Sequence, residues 1–256
     1  MPLNSPCFAH RKQIILDLLK KNGSIKVAEL SAILDVSEVT IRNYLADMES
    51  KGLLSRVHGG AVSSYKPYYS MNMTQRLETN QTQKVEIAQK IAEMIEPNDT
   101  IMLNAGTTTL FTFRKFPVDY NLNIVTNSIA VALEASGNPN YNVVLIGGSV
   151  NTKYQFSYGS QAVAQLRNYH AEKLILSVDG VDIKRGFTTY YDKEVAVDRA
   201  MIEQSDLCIV AADHSKFRNN AFAKISELNV ADRIVTDIVE DDAYFNEIRD
   251  LGIEII

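Results

Sequence analysis

Residues 37–62 read SEVTIRNYLADMESKGLLSRVHGGAV, and this stretch decides how the first part of the chain folds. Ser37 suits a helix N-cap, because its hydroxyl accepts a hydrogen bond from an otherwise unpaired amide of the first turn. Ile41, Leu45 and Met48 recur at helical spacing and form one apolar stripe. The other face opens with Glu38, Thr40, Arg42 and Asn43, short or forked polar groups near the helix N-terminus. Gly52 is placed to end the helix. Beyond it, residues 53–57 and Ala61-Val62 flank His58-Gly59-Gly60, the pattern of a small hairpin with a glycine turn. A polar-tipped helix followed by a basic hairpin suits major-groove reading. Arg56, His58 and the Gly59 backbone would then lie against the neighbouring phosphates as a wing.

On the N-terminal side, residues 10–22 (HRKQIILDLLKKN) place Ile14, Ile15, Leu18 and Leu19 at helical spacing, with Gly23 as a stop. Residues 27–35 predict a second short helix with Leu30, Ile33 and Leu34 inward. Three short helices and a hairpin make an N-terminal all-α winged helix-turn-helix over residues 1–62. Its charge agrees with a nucleic-acid partner. Residues 1–62 hold eight Lys/Arg and six Asp/Glu, so the excess of acid that gives the chain its net −5 lies wholly in the remainder. So modest a positive charge implies salt-sensitive binding by at least two copies.

Residues 63–83 (SSYKPYYSMNMTQRLETNQTQ) are poor in aliphatics and rich in Ser, Asn, Gln and Tyr, which predicts a linker. From residue 84 to 256 apolar runs alternate with amphipathic stretches. Strands are predicted at 100–104, 123–126, 142–146, 173–178, 207–212, 233–236 and 253–256, with helices between most of them. Near-continuous apolar strands separated by helices imply a C-terminal α/β domain with a mostly parallel sheet and Rossmann-like layers.

In such sheets ligands bind beyond the carboxyl ends of the strands. Four predicted loops there carry suitable groups. Asn104-Ala105-Gly106-Thr107-Thr108-Thr109 offers a glycine and three hydroxyls at a helix start, fit to cradle a phosphate. Asn127 and Ser128 stand at a second strand-to-helix turn. Gly147-Gly148 permits close backbone approach, and Asp179 and Asp182 offer acceptors for sugar hydroxyls.

Taken together, Thr40 to Ala61 and these loops resemble the DeoR family of bacterial transcriptional regulators. The first segment is similar to its T-I-R-x-x-L signature ending in H-G-G-A. The loops are similar to its D-x-G-T-T-T, V-T-N-S, G-G and G-x-D blocks, and Asp213-His214-Ser215-Lys216-Phe217 to its D-H-S-K-F block. The likeness departs at Asn43 and Tyr44, where the family usually has Arg then Asp, and at Asn104, where it usually has Asp. A weak R-x-x-x-N-x-x-x-K pattern, Arg76, Asn80 and Lys84, is also associated with the family, but these residues read equally well as polar linker and receive no role. The resemblance implies a double-stranded DNA operator, a homo-oligomer (dimer or tetramer) and a C-terminal domain similar in fold to ribose-5-phosphate isomerase. That domain would bind a phosphorylated sugar, with Lys216 as a phosphate or carboxylate partner.

The competing class is a sugar-phosphate isomerase-like enzyme, with Asp179, Asp182, Glu194 and Lys216 as acid–base groups; it leaves the DNA-binding head without a purpose. A protein-interaction role for the head would favour exposed apolar residues over Thr40, Arg42 and Arg56. Cys7 and Cys208 form no disulfide framework, and His10, His58, His170 and His214 make no pair at metal-ligand spacing. No cofactor, metal or catalytic residue is expected. No apolar run approaches a membrane span, which places the protein in the cytoplasm.

Overall fold

The computed structural model describes residues 6–22, 24–50, 54–57, 59–62, 71–238 and 243–256. The chain divides into two compact units, residues 1–71 and 72–256. No helix among the described residues is long and apolar enough to cross a membrane.

In the first unit, α1 (Pro6–Asn22), α2 (Val27–Leu34) and α3 (Glu38–Ser50) pack around Ile15, Leu19, Leu30, Leu34, Ile41, Tyr44, Leu45 and Met48. The stripe expected on α3 is buried, joined by Tyr44, whose hydroxyl accepts from Arg11 of α1. Ile33 is a correction, because it is exposed. Val27, Leu30 and Leu34 already form the i, i+3, i+7 stripe of α2, and Ile33 sits about 100° around from Leu34. Asp35 ends α2 in the left-handed region (φ 49°) and lets the chain turn into α3 within three residues. The hairpin of β2 (Ser55–Val57) and β3 (Gly60–Val62) is present, and β3 also pairs with a strand the sequence pattern did not reveal, β1 (Ser24–Lys26). Gly59 turns the hairpin at φ 82°. Gly60 lies under β1, where a Cβ would stand 2.3 Å from the Ile25 carbonyl oxygen.

The second unit opens with α4 (Met73–Glu78) and α5 (Gln81–Ala92). Residues 72–83, expected as the end of the linker, therefore belong to this compact unit, while residues 63–70 lie outside the described residues. Next come β4 (Thr100–Leu103), α6 (Thr107–Phe113), β5 (Leu122–Thr126), α7 (Ile129–Ala135) and β6 (Tyr141–Leu145). A hairpin of β7 (Ser149–Asn151) and β8 (Phe156–Tyr158) leads to α8 (Ser160–Leu166) and β9 (Ala171–Ser177). Then follow β10 (Gly180–Asp182), β11 (Gly186–Thr189), α9 (Asp192–Glu203) and β12 (Ser205–Ala211). The chain closes with β13 (Ala223–Ser226), β14 (Arg233–Val235), α10 (Ala243–Arg249) and β15 (Glu254–Ile255).

Seven strands form one sheet in the order β15-β14-β12-β9-β4-β5-β6, and every neighbouring pair is parallel. Both faces are covered, as the unbroken apolar runs require. Alternate residues serve opposite layers. Ile101, Leu103, Ile124, Ile175 and Ile209 pack with α5, α6 and α7, whereas Met102, Val125, Leu174, Leu176 and Val210 pack with α8, α9 and α10. The chain enters at the middle with β4, builds outward through β5 and β6, then crosses back to β9 on the other flank of β4. Between β4 and β9 the winding reverses, and loops leaving those two strands diverge to opposite faces. The small antiparallel sheet β10-β11-β13 rises beyond the end of β9.

Gly60→Ala is expected to destabilise the first unit by about 1–3 kcal/mol, because backbone rather than a movable side chain blocks the added methyl. Amide exchange should quicken across residues 24–62 while staying unchanged in residues 72–256.

Candidate functional site

On the first unit, α3 presents the surface expected for DNA. Ser37 caps the helix through its hydroxyl, which accepts from the Thr40 amide (3.3 Å) and lies 2.9 Å from the Thr40 hydroxyl. Arg42 donates to Glu38 one turn earlier at 2.6 Å, and Asn43 is exposed beside them. In the wing, Arg56 gives both its backbone amide (2.8 Å) and its Nε (2.6 Å) to Glu49 at the end of α3. The backbone bond, then the side-chain bond, holds the Glu49 carboxyl below its ordinary range. The ion pair between exposed groups adds little stability, but it fixes the guanidinium beside the hairpin. Gly59 contributes its carbonyl to the Val27 amide (2.9 Å). His58 lies outside the described residues.

On the second unit, the switch point between β4 and β9 gathers buried polar groups. Asn104 follows β4, and its side chain continues the ladder that the backbones abandon. Its Oδ1 accepts from the Ser177 amide (2.8 Å) and its Nδ2 donates to the Ser177 carbonyl (3.0 Å). The same Nδ2 donates to Asp198 of α9 at 3.1 Å. Gly106 is required by this closeness, since a Cβ there would meet the Ser177 Cβ and Oγ at 2.6 Å. Thr109 ties the loop by donating to the carbonyls of Asn104 and Gly106, both at 2.9 Å. Thr107 and Thr108 are buried in the first turn of α6.

Asp179, just beyond β9, is buried. Its Oδ2 accepts from the Tyr190 amide (3.0 Å) and the Thr189 hydroxyl (3.3 Å), and its Oδ1 lies 3.7 Å from Arg76 Nη1. Arg76 comes from α4. Its guanidinium sits 4.8 Å from the Tyr154 ring centre and 5.4 Å from that of Tyr191, within cation–π range of both. The ammonium of fully buried Lys84 donates to the carbonyls of Arg76 and Thr79, both at 2.5 Å, and so closes the C-terminus of α4. Asn80, at φ 49°, donates to Asp213 (3.1 Å). Lys216 follows Asp213 in a 3-10 turn after β12 and is buried.

Burial sets the protonation states. It pulls the Lys84 ammonium down to about 8, helped by the charge of Lys216 and opposed by that of Asp213. Burial also pushes Asp198 up to about 7 against the hydrogen bond from Asn104, with the Asp179 charge adding to the rise. Glu194 rises well above its usual range through burial, then through the charges of Asp198 and Asp179. Although burial works to raise Asp213, the Lys216 charge, the Ser215 hydroxyl and the Lys84 charge hold its carboxyl below the ordinary range. Thr189, within 3.0 Å of Glu194 and 3.3 Å of Asp179, has one proton to give. A neutral Glu194 lets that proton go to Asp179.

The remaining expected residues have other partners. Ser128 caps α7 by accepting from the Val131 amide (3.3 Å). Asn127 donates to the Ser157 carbonyl (3.1 Å), fastening the β7–β8 hairpin, while its Oδ1 is buried without a partner. Gly147 donates its amide to Gln165 of α8, and a Cβ on Gly148 would stand 2.5 Å from the Tyr158 carbonyl oxygen of β8, so the two glycines serve the packing of α8 and of the hairpin. Asp182 accepts from the amides of Lys184 and Arg185 and closes the β10–β11 turn. Asn104, Gly106, Asp179 and Lys216 are thus drawn to the switch point, and Gly147, Gly148 and Asp182 have structural partners elsewhere. Arg76, Asn80 and Lys84 are the members that sequence reasoning left without a role. Their i, i+4, i+8 spacing is the signal the sequence offers, masked for Arg76 and Asn80 by the linker-like polar composition of residues 63–83.

A winged helix-turn-helix followed by an α/β domain with a buried polar site at its switch point is the plan of a DNA-binding transcriptional regulator. Residues 11–66 match the DeoR-like helix-turn-helix domain and residues 79–238 the DeoR C terminal sensor domain, and the chain belongs to the DeoR family. It is 34% identical over 247 residues to the uncharacterised HTH-type transcriptional regulator YulB of Bacillus subtilis, covering 96% of this chain and 95% of that one. It is 30% identical over 227 residues to the glycerol-3-phosphate regulon repressor of Escherichia coli, covering 87% and 88%. A ribose 5-phosphate isomerase of Methanocaldococcus jannaschii overlays 54% of this chain and 55% of its own at a TM-score of 0.41 and 13% identity. The relatives are named as regulators, and the protein is a DNA-binding regulator rather than an enzyme.

A buried acid whose pKa rises from 3.8 to about 7 on folding makes the folded state the stronger proton binder across that window. Its contribution to stability is therefore lost as pH climbs toward 7. Asp198→Asn, which cannot ionise, should gain stability relative to the parent between pH 5 and pH 8, measured as the difference in denaturant midpoints at each pH.

Proposed function

We propose that this protein is a cytoplasmic repressor of a carbohydrate-utilisation operon. As a homo-oligomer it binds a double-stranded operator through Ser37, Glu38, Thr40, Arg42, Asn43, Arg56 and the wing, and a phosphorylated sugar taken up at the switch point changes that affinity. The observation that carries the sensing part is the buried convergence of Arg76, Lys84 and Lys216 with Asp179 and Asp213 at the carboxyl ends of β9 and β12. Cations held in low dielectric favour an anion, and carboxylates beside them are acceptors for hydroxyls, so the pair suits a molecule bearing both. The glycerol-3-phosphate relative supports the same ligand class through its name. A response requires only that the sugar phosphate bind the two states of the protein unequally. One head contacts too few base pairs for a specific site, which supports at least a dimer on DNA.

The test is a gel shift on DNA flanking the protein's own gene, with and without a panel of pentose, hexose and triose phosphates. One phosphate, and not its dephosphorylated sugar, should change operator affinity by about 5- to 150-fold. Lys216→Gln should keep operator affinity and lose the response. Arg42→Ala should do the reverse, weakening operator binding roughly tenfold while sugar-phosphate binding persists. Selective DNA binding with no response to any phosphate would remove the sensing part of the proposal.

A further inference from the structure

The exposed face of α3 carries one residue that the polar set does not include. Val39, in the first turn, is 64% exposed. The burial of Ile41, Tyr44, Leu45 and Met48 fixes the helix register, so residues 38, 39, 42 and 43 form the open face. Their neighbours on that face are largely occupied with one another. Ser37 and Thr40 share hydrogen bonds, and Arg42 is paired with Glu38. Val39 and Asn43, one turn apart, are left pointing outward together, and among the described residues no hydrogen bond holds the Asn43 amide. Val39 is β-branched, a mild penalty in a helix, and contributes nothing to the core.

We propose that Val39 reads the 5-methyl group of a thymine in the operator, next to an adenine read by Asn43. In the major groove thymine alone presents an apolar group, the C5-methyl, and an aliphatic side chain at the start of a recognition helix is its complement. Two methyls with no donor or acceptor are matched to that group and mismatched to every other base edge. The Asn43 amide, one donor and one acceptor on one plane, complements adenine N7 and N6. The two residues therefore specify an A/T-containing step in each half-site, while Arg42 and Arg56 supply affinity. This inference rests on the DNA binding of the first unit and is independent of the sensing site.

Uracil interference tests it directly, because uracil differs from thymine only in lacking that methyl. A duplex selected from random sequence by the purified full-length protein is resynthesised with uracil at each thymine in turn. At one thymine per half-site the parent protein should lose about three- to tenfold in affinity, the scale of one buried methyl or slightly more. Val39→Ala, a favourable helix residue at an exposed site, should fold normally and lose most of the discrimination between thymine and uracil duplexes at that position, because its one β-methyl stands back from the groove. Val39→Thr, which keeps one methyl, should retain part of the discrimination. Asn43→Ala should retain the uracil effect and become indifferent to 7-deazaadenine at the neighbouring adenine. The proposal is overturned if no duplex is enriched, if no thymine discriminates with the parent protein, or if the same thymine discriminates equally with Val39→Ala.

Discussion

Where the parallel sheet reverses its winding, two strands part company and one side-chain amide spans the gap. Asn104 offers its carbonyl to the Ser177 amide and its NH₂ to the Ser177 carbonyl, imitating the backbone partner that β9 would otherwise lack. No carboxylate does this, because it has no proton for the Ser177 carbonyl or for Asp198. The departure from the family's usual Asp at this position thus has a local physical reason. From the bridge follow the approach of Gly106 to Ser177, the Thr109 closure of the loop and the placement of Asp179 two residues past Ser177.

Around that bridge the domain holds ionised groups out of water, a costly arrangement unless each charge meets partners. The partners come from distant parts of the chain: Arg76 from α4 to Asp179 past β9, Asn80 to Asp213 past β12, and Tyr154 and Tyr191 as faces for the guanidinium. Glu194 and Asp198, one turn apart on α9, are pushed toward their neutral forms, Glu194 by burial and the charges of Asp198 and Asp179, and Asp198 by burial and the charge of Asp179. The segment that follows the boundary between the two units is thereby fastened to the strand ends where a ligand of this fold class binds. Ligand chemistry at those ends and the anchoring of α4 draw on the same groups.

Much of this was legible in the sequence. The apolar runs gave every strand of the main sheet, because strands covered on both faces have no polar side to disguise them, and the Ser37 cap and Ile41–Met48 stripe gave α3. What escaped had different causes. β1 is three residues long and exists only because β3 lies beside it. The helix α4 was concealed by polar residues such as Arg76, whose partner Asp179 is far away in sequence, so that residues 72–83 resembled solvent-facing linker. Ile33 was placed inward because apolar character alone does not say which of two overlapping helical stripes faces the core. Asp182, Gly147 and Gly148, expected as ligand groups, also have turn and packing partners, since turn chemistry and binding chemistry use the same residues.

The central claim is that a phosphorylated sugar occupies the β4–β9 switch point. Hydrogen exchange of the full-length protein, followed by mass spectrometry with each member of a sugar-phosphate panel, addresses it most directly. One compound should slow exchange in residues 103–110, 177–191 and 213–217, and alter it in residues 72–84 that are fastened there. Protection confined to other segments, or none with any phosphate, would contradict it.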